Sequence, residues 1–157
     1  MKSGRNVPMT SWICVDAGVI LKLVLNEPDS AKAEALWKHW ANNGFRLMAP
    51  SLFPYEITAV IRKAIRQDRL SVARGQQALR QALAFGVRLY TFPGIHDRAL
   101  ELAVQFNRSS AYGEHYLALA EKTGNEFWTA DKRLYNAVHD KLPWAHWLGD
   151  FHLSGTI

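Results

Sequence analysis

Three carboxylates stand where short apolar runs end. Trp12-Ile13-Cys14-Val15 runs straight into Asp16, and Glu126-Phe127-Trp128-Thr129 is followed one residue later by Asp131. Glu56 lies early in a helical pattern that follows a third run, Arg46-Leu47-Met48-Ala49. If these acids converge, their charges repel, and the cluster is tolerable only with a cation to neutralise it. Hard oxygen ligands select Mg²⁺ or Mn²⁺ over Zn²⁺. Mg²⁺ keeps several waters and takes one or two carboxylates plus substrate phosphates. A water on such an ion, its pKa lowered, could attack a phosphodiester in line. A plainer role competes for each acid. Asp16 and Asp131 are equally placed to cap the helices after them, and Glu56 could pair with Arg62 or Lys63 on nearby turns.

The elements that must position these acids follow from periodicity. Trp12–Val15 reads as a buried parallel strand, and Gly18–Leu25 as a short helix or turn stopped near Asn26-Glu27-Pro28. A helix capped by Asp29 or Ser30 runs to about Trp40 and stops at Asn42-Asn43-Gly44. After the Arg46–Ala49 strand, Ser51 is the expected N-cap, with Pro54 in the first turn. The helix beyond it carries Ile57, Val60, Ile61, Ala64 and Ile65 at core-facing spacing. Ser71–Phe85 is a helix closed by Gly86, Val87–Tyr90 a strand, and Ile95–Phe106 a helix with Leu100, Ala103 and Val104 inward. Ser110 caps Ala111–Lys122, which ends at Gly124. Glu126–Thr129 is the fourth strand, Arg133–His139 a helix, and Ala145–Leu148 an edge strand after Pro143. Alternating strands and helices imply an α/β domain with a mainly parallel sheet and right-handed crossovers. Ligands in such sheets bind at the carboxyl ends of the strands, where Asp16 and Asp131 fall.

Composition narrows the classes. With 157 residues, the chain is expected to form one domain over 11–157, behind a polar, loose leader at 1–10. Hydrophobic residues make up 48% and charged residues 21%, which argues against wholesale disorder. One cysteine, Cys14, excludes an internal disulfide and points to a reducing cytoplasm; mid-strand, it is expected to be buried and inert. Lys2 and Arg5 before the apolar Trp12–Leu25 mimic a secretory leader, but Asp16 and Lys22 interrupt it and no small-x-small cleavage site follows. No run approaches the length of a membrane span. The net charge of +5 fits an anionic partner but is modest. Arg62, Arg66 and Arg69, spaced i, i+4, i+7, form either a stripe for RNA phosphates or a solvated helix face. The six Trp and seven Phe could stack on bases, but Trp37, Trp40, Trp144 and Trp147 read better as packing or interface anchors. The six His show no zinc-binding spacing, and His115 suits a helix face or interface better than catalysis. No Gly-rich nucleotide-binding pattern is present.

Four segments together resemble the PIN domain family. Val15-Asp16-Ala17-Gly18-Val19-Ile20-Leu21-Lys22 is similar to its opening motif, Pro50-Ser51-Leu52-Phe53-Pro54-Tyr55-Glu56-Ile57 to the second, Ser110 to Glu121 to the third, and Trp128-Thr129-Ala130-Asp131-Lys132-Arg133-Leu134 to the fourth. The resemblance spans about 11–151 and is closest to the VapC-like toxins of toxin–antitoxin pairs. It implies a three-layer α/β/α sandwich and a Mg²⁺- or Mn²⁺-dependent endoribonuclease, a hydrolase that usually dimerises and is restrained by a cognate antitoxin. Carried onto this sequence, Asp16, Glu56 and Asp131 become the metal-site acids, and Thr129 a residue that supports them.

Two positions depart from the family pattern. The third motif normally reads Ala-Tyr-Asp, but Gly113 stands where its acid belongs. Gly18 replaces the usual hydroxyl or amide beside the first Asp. Glu114 is a candidate substitute for the missing acid: neighbouring helical residues point about 100° apart, but its arm is longer and it lies in the first turn. Two readings therefore stand: a nuclease working with three acids, or a PIN fold that no longer cleaves and binds RNA or protein. A phosphorelay receiver also ends its first strand on Asp, but it needs a phosphoacceptor Asp after the third strand, and Leu89-Tyr90-Thr91-Phe92 supplies none.

Overall fold

A computed structural model describes residues 11–152; the expected leader at 1–10 lies outside them. Strand β1 (Trp12–Val15) forms the centre of the molecule. Its short run of bulky apolar side chains is buried from Ile13 to Val15, as a strand covered on both faces requires. It pairs in parallel with β2 (Arg46–Pro50) on one side and β4 (Glu126–Thr129) on the other, Cys14 facing Met48 and Phe127. Strands β3 (Arg88–Tyr90) and β5 (Ala145–Trp147) extend the two edges, also in parallel, giving the order β3-β2-β1-β4-β5. The chain adds strands first to one side of β1 and then to the other. The crevice between β1 and β4 is thus the point where the winding reverses, the place where such sheets bind ligands.

Helices cover both faces in a three-layer α/β/α sandwich. Helix α1 (Ala17–Val24) packs on α2 (Ser30–Asn42), α3 (Phe53–Arg66) and α4 (Val72–Leu83). Across the sheet, α6 (Tyr112–Thr123) lies on β1, β2 and β4 and against α5 (Ile95–Gln105), while α7 (Lys132–Val138) packs on β4 and β5. Tyr116, Leu117, Leu119 and Phe127 are among the largest fully buried side chains. Gly124 ends α6 in the left-handed region at φ 71°, a conformation that favours glycine over any side chain. No helix among the described residues is long and apolar enough to cross a membrane.

Several local expectations are corrected. Ser51 does not cap α3, which begins after Leu52 without a side-chain cap. Nor does Ser110 cap α6, which starts from Ala111. Polar capping types were present at both sites, but each helix starts two residues later. Val60 is 42% exposed because the buried line of α3 runs through Phe53, Ile57, Ile61 and Ala64. On α5 the core line is Ile95, Ala99, Leu102 and Ala103, so Leu100 and Val104 face outward at 59% and 73% exposure. Cys14 is fully buried, its thiol donating to the Tyr116 carbonyl at 3.6 Å.

Candidate active site

A cleft of about 710 Å³ opens at the carboxyl ends of β1 and β4. Asp16, Glu56 and Asp131 all line it, as do Gly18, Gly113, Arg108 and Tyr116. The sheet supplies Asp16 and Asp131 from adjacent strand ends, and α3 supplies Glu56 from its first turn.

Asp16 is held from three sides. Its Oδ1 accepts from the Val19 amide at 3.1 Å, making it the N-cap of α1, and more weakly from the Ala130 amide at 3.5 Å. Its Oδ2 accepts from the Thr129 hydroxyl. Thr129 is fully buried, and its oxygen also accepts the Asp131 amide at 2.8 Å. One hydroxyl thus ties the first acid to the backbone of the third. Burial pushes the Asp16 carboxyl up to about 6, with the Glu56 charge adding to it, against the lowering bonds from Thr129 and Val19. Glu56 is raised by its own burial, which the Tyr116 bond and the nearby His115 oppose. The Tyr116 hydroxyl donates to Glu56 Oε1 at 2.6 Å, and burial raises the Tyr116 phenol. A nearby cation would favour the charged form of both acids and so offset the cost of their burial.

Asp131 is exposed, and its Oδ1 caps α7 by accepting from the amides of Arg133 at 2.9 Å and Leu134 at 3.2 Å. Asp16 and Asp131 are thus helix caps and cleft residues at once. Among the described residues, no three His, Cys, Asp or Glu side chains group closely enough to cage a metal ion. Asp16 and Glu56, close enough for one charge to raise the other, fit a hard divalent cation that keeps most of its waters. Asp131 keeps Oδ2 free of hydrogen bonds among the described residues. The site offers no cysteine, and the His115 ring is engaged elsewhere, with Nδ1 donating to the Ala111 carbonyl at 2.6 Å and Nε2 lying 2.9 Å from His96.

Glu114 turns away from the cleft. It is 1% exposed, does not line the cleft, and accepts from Arg108 Nε at 3.0 Å. The turn of about 100° from position 113 carries it into the protein. At Gly113 an added Cβ would stand 3.0 Å from Leu134 Cδ2, the flexible end of a side chain. At Gly18 it would stand 3.0 Å from the Ala130 Cβ and 3.4 Å from Asp16 Oδ1. A side chain at 18 would press on Ala130 and meet the acid only at van der Waals distance. Arg62, Arg66 and Arg69 are exposed but do not line this cleft; Arg69 turns to Glu27 at 3.8 Å and to the Gln67 side chain at 3.0 Å.

Sequence reasoning missed four cleft residues. Tyr116 lies inside the third motif, where nothing in its spacing marks the hydroxyl that reaches Glu56. Tyr55 and Tyr112, 75% and 64% exposed, stand on the cleft wall. They occur inside quoted motifs, but nothing in their spacing marks them as a pair. Arg108 lies in the loop before α6, where no periodicity exists to flag it.

The chain is similar to known proteins over most of its length. The VapC ribonuclease Mb0985 of Mycobacterium bovis and ribonuclease VapC9 of Mycobacterium tuberculosis are each 31% identical to the chain over 131 residues, which is 83% of this chain and 94% of theirs. Two crystal structures share the fold. PAE2754 from Pyrobaculum aerophilum has a TM-score of 0.61 at 23% identity, covering 82% of this chain and 87% of its own. Mycobacterium tuberculosis VapC20, described as a sarcin-ricin loop cleaving toxin, has a TM-score of 0.60 at 18% identity, covering 80% and 95%. The pattern of the PIN domain itself matches residues 13–139. The chain therefore belongs to the PIN domain family.

Proposed function

We propose that the protein is a divalent-metal-dependent endoribonuclease and the toxin of a toxin–antitoxin pair. The observation that carries this is the strand-end network: Asp16 and Asp131 tied through one buried hydroxyl, with Glu56 in the same cleft. VapC ribonucleases matched over most of the chain support it. Asp16 and Glu56 would hold Mg²⁺ or Mn²⁺, with Asp131 as the third carboxylate of the cleft. Held by these carboxylates, the ion would supply a water of lowered pKa and positive charge facing a phosphate, the chemistry that phosphodiester hydrolysis needs.

The chain's own residues do the positioning. Thr129 keeps the Asp16 carboxylate oriented, leaving its Oδ2 a further lone pair for the ion. Tyr116 fixes Glu56, and its raised phenol stays a donor at neutral pH. Tyr55 and Tyr112 offer exposed rings on which bases can stack as a strand crosses the cleft. Arg62 and Arg66 lie further along α3, where they can meet phosphates outside the cleft. The partners on this reading are RNA, a cognate antitoxin and a second copy of the chain, in the cytoplasm. The outward Leu100 and Val104 on α5 support the pairing, and light scattering across concentrations tests it. Cleavage of a mixed RNA pool by wild type and Asp16→Asn, in Mn²⁺, Mg²⁺ and EDTA, tests the activity. Metal-dependent cutting lost in the variant is expected. Absence of cutting by folded wild type in either metal would replace the nuclease with a binding module.

A further inference from the structure

At the start of α6 the cleft is lined by a fixed cation and by no carboxylate. Gly113 contributes no side chain, and Arg108 lines the cleft beside it. Asn107 leaves α5 in the left-handed region at φ 52°, and the Arg108 amide donates back to the Ala103 carbonyl at 2.8 Å. The side chain is anchored as firmly: Nε donates to the buried Glu114 carboxylate at 3.0 Å, and Nη1 makes a long contact of 3.5 Å with the Arg133 carbonyl. Among the described residues Nη2 donates to nothing, and the side chain keeps 24% of its exposure. Desolvating a carboxylate as fully as Glu114 is tolerable only with a charged partner. The pair therefore holds a guanidinium in place, donors still available, in the same cleft as Asp16 and Glu56.

We propose that Arg108 binds a phosphodiester group of the RNA strand in this cleft, and that Glu114 is the residue that positions it. A guanidinium cannot lose its charge, and its planar fork matches the oxygens of a phosphate. Because Nε is occupied by Glu114, the Nη groups are the ones that meet the phosphate. Gly113 leaves that approach open, where an acid would repel the strand. The inference rests on the RNA-cleaving reading for the identity of the strand, but it concerns binding and needs no metal.

The test is fluorescence anisotropy with a labelled single-stranded RNA of mixed sequence, in EDTA, from about 50 to 200 mM salt. Arg108→Ala alone would strand a buried carboxylate and can unfold the protein, so the decisive variant is Arg108→Met with Glu114→Leu, which replaces the pair by apolar groups of similar size. It is expected to bind roughly tenfold or more weakly, with a log–log salt slope smaller by about 0.7, one phosphate's share on a single strand. Arg108→Lys is expected to keep the slope and recover part of the affinity, since it retains the charge and loses the fork. Glu114→Gln keeps an acceptor for Nε, so it too should keep the slope while losing part of the affinity. A folded double variant with wild-type affinity and slope would overturn the proposal, as would wild type that binds no RNA. Cleavage in Mn²⁺, compared with Asp16→Asn, separates the two claims. Cutting with an unaffected double variant removes Arg108 and keeps the nuclease. Weakened binding in the double variant, with no cutting by wild type, keeps Arg108 as the phosphate contact of a binding module.

Discussion

The cleft has two ends built on opposite electrostatic plans. At the strand ends, Asp16, Thr129 and Asp131 form a network of carboxylates, hydroxyl and amides in which neither acid has a cationic partner among the described salt bridges. At the start of α6, Glu114 is closed onto Arg108 and the position before it is empty. The first end holds negative charge at the expense of stability, and burial pushes Asp16 up to about 6. The second end is already neutralised. On the proposed reading, a site that lacks one acid works because the remaining acids recruit one cation and Arg108 supplies another.

Substitutions at the strand ends should have the largest effects. Asp16→Asn is expected to lower RNA cleavage by at least about a thousandfold, or about 4 kcal/mol of barrier. The same change should stabilise the metal-free protein at pH 7. The folded carboxyl is raised above its unfolded value of 3.8, so its contribution to stability is fully present below about pH 4 and lost as pH rises through about 6. Asn, still a good cap for α1, should recover about 1–3 kcal/mol, seen as a higher melting temperature in EDTA. Added Mn²⁺ should reverse the order by stabilising wild type alone. A variant that melts lower than wild type in EDTA would show that Asp16 is structural first.

Thr129→Val comes next. It removes a buried hydroxyl that donates to Asp16 and leaves the Asp131 amide unpaired, a loss of about 1–3 kcal/mol on chemical denaturation. Activity should fall about 10–100-fold, as for residues that orient metal ligands. Because the Thr129 bond lowers the Asp16 pKa, the pH needed for metal binding should rise. Gly113→Asp sharpens the contrast between the two ends. Leu134 must yield a few tenths of an ångström, so stability should change little, while Mn²⁺ should bind roughly fivefold more tightly. The smallest effect is expected from Tyr116→Phe, about 1 kcal/mol through the lost bond to Glu56, with the Glu56 titration moving up.

The two ends also differ in how far they could be read from sequence. Asp16 and Asp131 follow apolar strands, and a parallel sheet delivers such residues to one mouth whatever the loops do. The three central strands were legible for the same reason, each a short, mostly buried apolar run between turn signals, whereas β3 is exposed along its whole length. Helix faces were harder, because Leu100 and Val104 are as apolar as the residues that α5 buries, and only packing decides between them. The Arg108–Glu114 pair was not legible. It joins a loop to a helix at a spacing that belongs to no repeat, and it depends on the left-handed turn at Asn107. Glu114 was noticed for its charge, but its direction was settled by what it could pair with once buried.

Calorimetric titration of Mn²⁺ into the metal-free protein at pH 7 tests the central claim most directly, because it separates the end that awaits a cation from the end that already has one. One binding event is expected in wild type, absent in Asp16→Asn and preserved when Arg108→Met is combined with Glu114→Leu. No binding by wild type, or binding that survives in Asp16→Asn, would contradict it.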